Sequence, residues 1–194
     1  MKKLAFALLV LACTLPLRAE NWLENGDFTD GTSHWHGDLR SPADFASDNP
    51  LQASDSFTSK GLIIPLKGVA WSKVEQDFRG KIASGVLTIT YMVSPDLAFS
   101  SKADDYANVP NKLGWGWKAF STPLGDWMVF ISANGNTAGV YYKMEAKLGS
   151  SAPQTVKVKV TKLTPLEGQT LTLAFPPGTG TVVLLDVELS GDQD

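Results

Sequence analysis

"VLTITYMV", residues 86 to 93, alternates from Leu87 to Tyr91. Leu87, Ile89, Tyr91 and Val93 share one face, and Thr88 and Thr90 share the other, the two-residue period of a strand with one buried side. "TVKVKVTKL" (155–163) repeats the pattern, with Val156, Val158 and Val160 inward and Lys157, Lys159 and Lys162 toward water. "QTLTLAF" (169–175) and "TVVLLDVEL" (181–189) read as a final strand pair joined by the turn "PPGTG". Further strands are expected at 60–66, 70–79, 127–133 and 139–147, and Asn-Gly inside "SANGNTAG" (132–139) signals a hairpin between the last two. No stretch after the first twenty residues sustains a helical period. Many strands at short spacing, joined by Gly and Pro turns, predict an all-β chain built as an antiparallel β-sandwich or jelly roll.

The first nineteen residues stand apart from this pattern. Lys2 and Lys3, the apolar run Leu4 to Leu11 and the closing Leu17-Arg18-Ala19 form a signal peptide, too short to span a membrane. Val10-Leu11-Ala12-Cys13 is similar to a lipoprotein box, but cutting there leaves a very short apolar region. Release into the periplasm or the medium is therefore expected rather than anchoring at Cys13. Cys13 is the only cysteine, so residues 20–194 must fold without disulfides, on their core alone. They read as one domain, without an internal repeat or a linker. Loss of Lys2, Lys3 and Arg18 with the leader takes the formal charge from −3 to −6. No basic stripe appears, which argues against a nucleic-acid partner.

The longest irregular segment is 94–126, which carries Tyr106, Trp115, Trp117 and Phe120. Long loops on compact domains often hold function. Sugar rings stack their C–H faces on Trp and Tyr and need polar partners for their hydroxyls. Trp115, Trp117, Trp71, Tyr141, Tyr106 and Gln76 are the candidate ligand-binding residues on that chemistry. The alternative for these rings is that they plug the ends of the sandwich; Trp127 in "DWMVFI" is expected in the core.

The opening of the exported chain, "NWLENGDFTDGTSHW" (21–35), holds Asn21, Asn25, Gly26, Asp27, Phe28, Gly31 and Trp35. It resembles the N-terminal signature of the carbohydrate-binding modules attached to bacterial xylanases and cellulases, which share a galactose-binding-like jelly roll. "WSKVEQDFRGKIASGVLTITYMV" is similar to that family's middle strands at Gln76, Phe78, Gly85 and Tyr91, and "VVLLDVELSG" to its closing strand at Asp186. Residues 94–150 match nothing in the pattern. The resemblance implies a first strand across the opening and a non-catalytic, carbohydrate-binding, lectin-like function. It also implies a structural calcium between the first and last strands, with Asp186 and the carbonyl region of Gly26 as ligands. The carboxylate that follows Phe28 in the family is Thr29 here.

"HWHGD" places His34, His36 and Asp38 on one face if it is a strand, a partial zinc or copper pattern. No further His or Cys completes a shell, so exposed polar residues opposite a core Trp35 are the expected reading. The carboxylates Asp104, Asp105, Asp126, Glu145 and Glu167 are scattered, there is no Gly-x-Ser-x-Gly elbow, and both histidines lie in one three-residue window. An enzyme is not expected on this poverty of acid–base groups. Two other functions compete with carbohydrate binding: a structural or protein-interaction sandwich of the cell envelope, and a small glycan hydrolase.

Overall fold

The computed structural model describes residues 21–41, 61–68, 71–78, 82–94, 96–99, 126–133, 136–143, 152–160, 168–175 and 177–193. The alternation that opens the sequence reading becomes the centre of a sheet. The strand β4 (Ile82–Val93) buries Leu87, Ile89, Tyr91 and Val93, while Thr88 and Thr90 stay partly open. Three more strands complete its sheet in the antiparallel order β2-β11-β4-β8: β2 (Leu62–Pro65), β8 (Gln154–Val160) and β11 (Thr181–Gln193). In β8 the expected sides hold: Val158 is buried, and Lys157 and Lys159 are exposed.

The facing sheet has five strands: β1 (His36–Gly37), β3 (Ser72–Phe78), β6 (Asp126–Ala133), β7 (Asn136–Lys143) and β9 (Gln169–Phe175). Their order is β1-β3-β9-β6-β7, with every pairing antiparallel. A short pair, β5 (Ala98–Phe99) with β10 (Gly178–Thr179), lies apart from both sheets. All the described regular structure is strand, and the two sheets form the β-sandwich that the alternation predicts. One core runs between them. Val74, Phe78, Leu171, Leu173 and Phe175 of one sheet meet Leu62, Ile64, Leu87, Ile89, Leu184, Val187 and Leu189 of the other. Burying rows of this size is the main favourable term in a chain without disulfides.

Three expectations need correction. First, β9 and β11 are not a strand pair: β9 lies between β3 and β6, and β11 lies between β2 and β4. Their inner rows face each other across the core instead of lying side by side. The residues between them cross from one sheet to the other. That corner is held by Leu66 N–H to Gly180 O (2.9 Å), and by Ser94, whose N–H donates to Thr181 O and whose Oγ accepts from Thr181 N–H. Second, β7 begins at Asn136 rather than 139, because Ala133 pairs with Asn136 and only Asn134 and Gly135 separate the two strands. Third, the opening 21–35 contains no strand. Positive φ at Asn25 (48°), Phe28 (56°) and His34 (68°) folds it into successive turns.

Side chains organise those turns. Asn25 Nδ2 donates to Gly31 O and Ser33 O, and its Oδ1 accepts from Asp30 N–H. The Trp35 indole N–H donates to Asn25 O, and Trp35 packs on Phe28 with ring centroids 5.5 Å apart. Both rings are buried, so the two anchors are set by turn chemistry rather than by strand alternation. Asn21 Oδ1 accepts from Leu189 N–H and Gly26 O accepts from Val187 N–H, which ties the opening to β11. A Cβ on Gly26 would meet Val187 O at 2.2 Å, so only glycine fits there. In β11 the pairing jumps from Leu184↔Tyr91 to Asp186↔Thr90, a bulge that keeps both Leu184 and Val187 in the core.

Candidate functional site

The outer face of the five-stranded sheet carries the side chains that the core does not take. Inward Val74, Gln76 and Phe78 leave Lys73, Glu75 and Asp77 of β3 on the outside. The register continues these rows across the sheet. Glu75 pairs with His36 on one side and Thr172 on the other; Asp77 pairs with Thr170; Lys73 pairs with Ala174. Beyond β9 the same rows reach Phe130, Ser132 and Met128 of β6, then Gly139, Thr137 and Tyr141 of β7.

A polar network covers the β1–β3 side of this face. Lys73 Nζ lies 2.8 Å from Glu75 Oε2, Thr172 Oγ1 donates to Glu75 Oε1 (3.0 Å), and Thr170 Oγ1 donates to Asp77 Oδ1. His36 Nε2 lies 3.9 Å from Glu75 Oε2. Thr172 and Ala174, in the middle of the sheet, are closed off from solvent; His36 and Asp77 are exposed and Lys73 partly so. Among the residues whose exposure is described, the accessible part of the face is its β1–β3 side.

From there the chain turns into a groove. Residues 36–40 leave β1 at the edge of the five-stranded sheet and reach the edge of the other, where Arg40 forms an antiparallel bridge with Ile63. The groove between this segment and Pro65–Lys67 has a volume of about 340 Å³. Leu39, Leu66 and Pro65 give it apolar surface, and Asp38, Arg40 and Lys67 give it polar heads. Asp38 joins groove and face. Its N–H donates to Lys73 O (2.7 Å), its Oδ2 accepts from Lys73 N–H (3.1 Å), and its Oδ1 contacts Lys67 Nζ. A mixed apolar and hydrogen-bonding trough suits a ligand with C–H faces and hydroxyl edges.

The residues named from the sequence fare differently. Trp115, Trp117 and Tyr106 lie outside the described residues. Trp71 is buried just ahead of β3, so it offers no ring to a ligand. Gln76 is fully buried: its Oε1 accepts from Glu24 N–H and its Nε2 donates to Glu24 O, both at 2.8 Å. With both ends of the amide used, Gln76 clamps the opening segment rather than facing a ligand. Tyr141 lies on β7, where its backbone pairs with Met128 of β6. His34 and His36 do not share a strand face, because the positive φ at His34 breaks the alternation. His34 instead lies 3.0 Å from Glu24, opposite a buried Trp35. Arg40, Leu66 and Lys67 had no signal in the sequence, since their two segments meet through the Arg40–Ile63 bridge and the Asp38–Lys67 pair, contacts between residues distant along the chain.

Gly26 and Asp186 do come together, in a depression of about 260 Å³ also lined by Asn21, Asn25, Asp27 and Glu188. Several of its oxygens, which a calcium shell would draw on, already accept hydrogen bonds. Gly26 O is taken by Val187 N–H, and Asn21 Oδ1 by Leu23 and Leu189 N–H. Asp27 Oδ1 accepts from both the N–H and the hydroxyl of Thr29, the residue standing where the family has a carboxylate. Among the described residues no three His, Cys, Asp or Glu converge as metal ligands.

No family model and no curated protein sequence matches the chain. Solved structures do match it. A family 61 carbohydrate-binding module in complex with β-1,4-galactotriose is 12% identical over 90% of this chain and 100% of that one, with a TM-score of 0.48. A family 16 carbohydrate-binding module is 11% identical over 87% of this chain and 99% of that one, with a TM-score of 0.49. An arabinose-bound α-L-arabinofuranosidase is 8% identical over 88% of this chain but only 26% of its own, with a TM-score of 0.51. At such identities the shared property is the β-sandwich fold.

Proposed function

We propose that this chain is an exported, non-catalytic, lectin-like module that binds carbohydrate. The ligand lies along the β1–β3 side of the outer sheet face and in the adjoining groove. The observation that carries this reading is the groove itself, where apolar Leu39, Leu66 and Pro65 sit among the hydrogen-bonding Asp38, Arg40 and Lys67. A pyranose presents the complementary pattern, with C–H faces for the first set and hydroxyls for the second. Trp115 and Trp117 of the 94–126 segment are the aromatic contacts in this reading.

The described surface gives less support to a protein partner. Val86 is the one large hydrophobic side chain exposed among the residues whose exposure is described, whereas docking faces gather several. Among those residues no helix is long and apolar enough to cross a membrane. The leader at 1–19 supports export.

A glycan-array screen of the chain lacking residues 1–19 tests the reading. Saturable binding that weakens about tenfold in Lys67→Ala is expected. Absence of binding by folded protein would overturn it and favour the envelope-interaction alternative.

A further inference from the structure

We infer that the site selects acidic glycans, with Arg40 holding the carboxylate of a uronic-acid residue in the groove. This rests on the carbohydrate reading above and names its ligand class.

The charges around the groove are unequally matched. Lys67 is paired with Asp38, and Lys73 with Glu75. Arg40 is exposed and has no ion-pair partner among the described residues. The Asp38 carboxylate does not repel an incoming anion strongly, because one oxygen sits on Lys67 Nζ and the other on Lys73 N–H. Among the described residues the groove lining therefore carries a net positive charge, on a chain whose formal charge is −3. Local potential of the opposite sign to the whole protein points to the charge of the ligand.

The walls are set before any ligand arrives. Arg40 N–H donates to Ile63 O (2.8 Å), and Ile63 N–H donates to Arg40 O (3.1 Å), so the base of the arginine is held at the sheet edge. Gly37, at φ 118°, lets its segment approach so closely that a Cβ would stand 2.3 Å from Lys73 O. On the opposite wall Leu66 N–H donates to Gly180 O and Lys67 O accepts from Gly178 N–H. The backbone of both walls is thus fixed, which leaves side-chain ordering as the cost to be met on binding.

The chemistry then selects the ligand. A guanidinium is a planar fork that pairs with a carboxylate through two parallel N–H···O bonds, which a neutral sugar hydroxyl does not match. A uronic acid carries that carboxylate on the pyranose rim, so its apolar face lies on Leu39, Leu66 and Pro65 while its acid group reaches Arg40.

Calorimetric titration of the chain lacking residues 1–19 with oligogalacturonate, and with the same oligosaccharide methyl-esterified, isolates the charge. Glucuronoxylan and unsubstituted xylan fragments form a second pair. In at least one pair the acidic ligand is expected to bind about tenfold more tightly, with the advantage shrinking as salt rises. Arg40→Ala should abolish that advantage, weakening the acidic member about tenfold more than the neutral one, and leave the melting temperature unchanged. Arg40→Lys, which keeps the charge but loses the fork, should restore only part of it. Equal affinity within both pairs, or equal weakening of both members by Arg40→Ala, would overturn the inference and leave the carbohydrate reading standing. Binding of neither pair, nor of any glycan on the array, overturns both.

Discussion

Replacing Gln76 by leucine separates a clamp from a ligand contact. Leucine nearly keeps the volume and removes both amide hydrogen bonds to Glu24. At about 1 kcal/mol net for each, the loss is about 2 kcal/mol, since Glu24 is exposed and water can reach its freed N–H and C=O. Gln169 provides the internal comparison. Its Oε1 accepts from Ile82 N–H (2.9 Å) and its Nε2 donates to Ile82 O (3.2 Å), the same arrangement one strand over. Ile82 is fully buried, however, so Gln169→Leu leaves two orphaned backbone groups in the core. Each orphan costs about 1–3 kcal/mol, which puts Gln169→Leu at about 4 kcal/mol. Urea unfolding followed by Trp fluorescence measures both variants, and glycan titration in the native baseline measures ligand affinity. The expected result is Gln169→Leu clearly less stable than Gln76→Leu, with the affinity of folded Gln76→Leu unchanged. The reasoning is refuted if the two variants lose equal stability. It also fails if Gln76→Leu keeps its stability and loses the ligand, which would return Gln76 to the binding site.

Other perturbations probe the opening and the groove. Gly26→Ala forces a Cβ toward Val187 O and should cost about 1–3 kcal/mol of stability, read as a fall in Tm; an unchanged Tm would show that the opening is not seated on β11 as described. Asn25→Ala removes three side-chain hydrogen bonds and should cost about 2–3 kcal/mol, with faster proteolysis inside 21–35 as the local readout. Millimolar calcium or a chelator is expected to leave Tm where it is, because a cation bound to the native state alone would raise it. A calcium-dependent rise would mean that the oxygens around Gly26 and Asp186 rearrange into a shell.

The two-residue alternation of 86–93 and 155–163 was enough to name the fold class, because a half-buried strand imposes its period on the sequence directly. The large rings at Phe28 and Trp35 likewise marked their own burial. Which strands become neighbours is a different kind of fact. β9 and β11 look like partners along the chain, but each satisfies its backbone with strands distant in sequence, and their apolar rows gain more by meeting across the core. Gln76 shows the same limit at one residue. A glutamine on a strand suggests a hydrogen bond, and only the fold decides that its partner is the backbone of Glu24, 52 positions away. The groove is wholly a tertiary product. Asp38 and Arg40 meet Pro65–Lys67 through a bridge between the sheet edges and the Asp38–Lys67 pair, and no local pattern links segments that are brought together by long-range pairing. The sequence alone thus determined strand, turn and core anchor, which are local in origin. Tertiary structure decided sheet order, the role of each buried amide and the place of the charged groove, because those depend on which distant backbone groups pair.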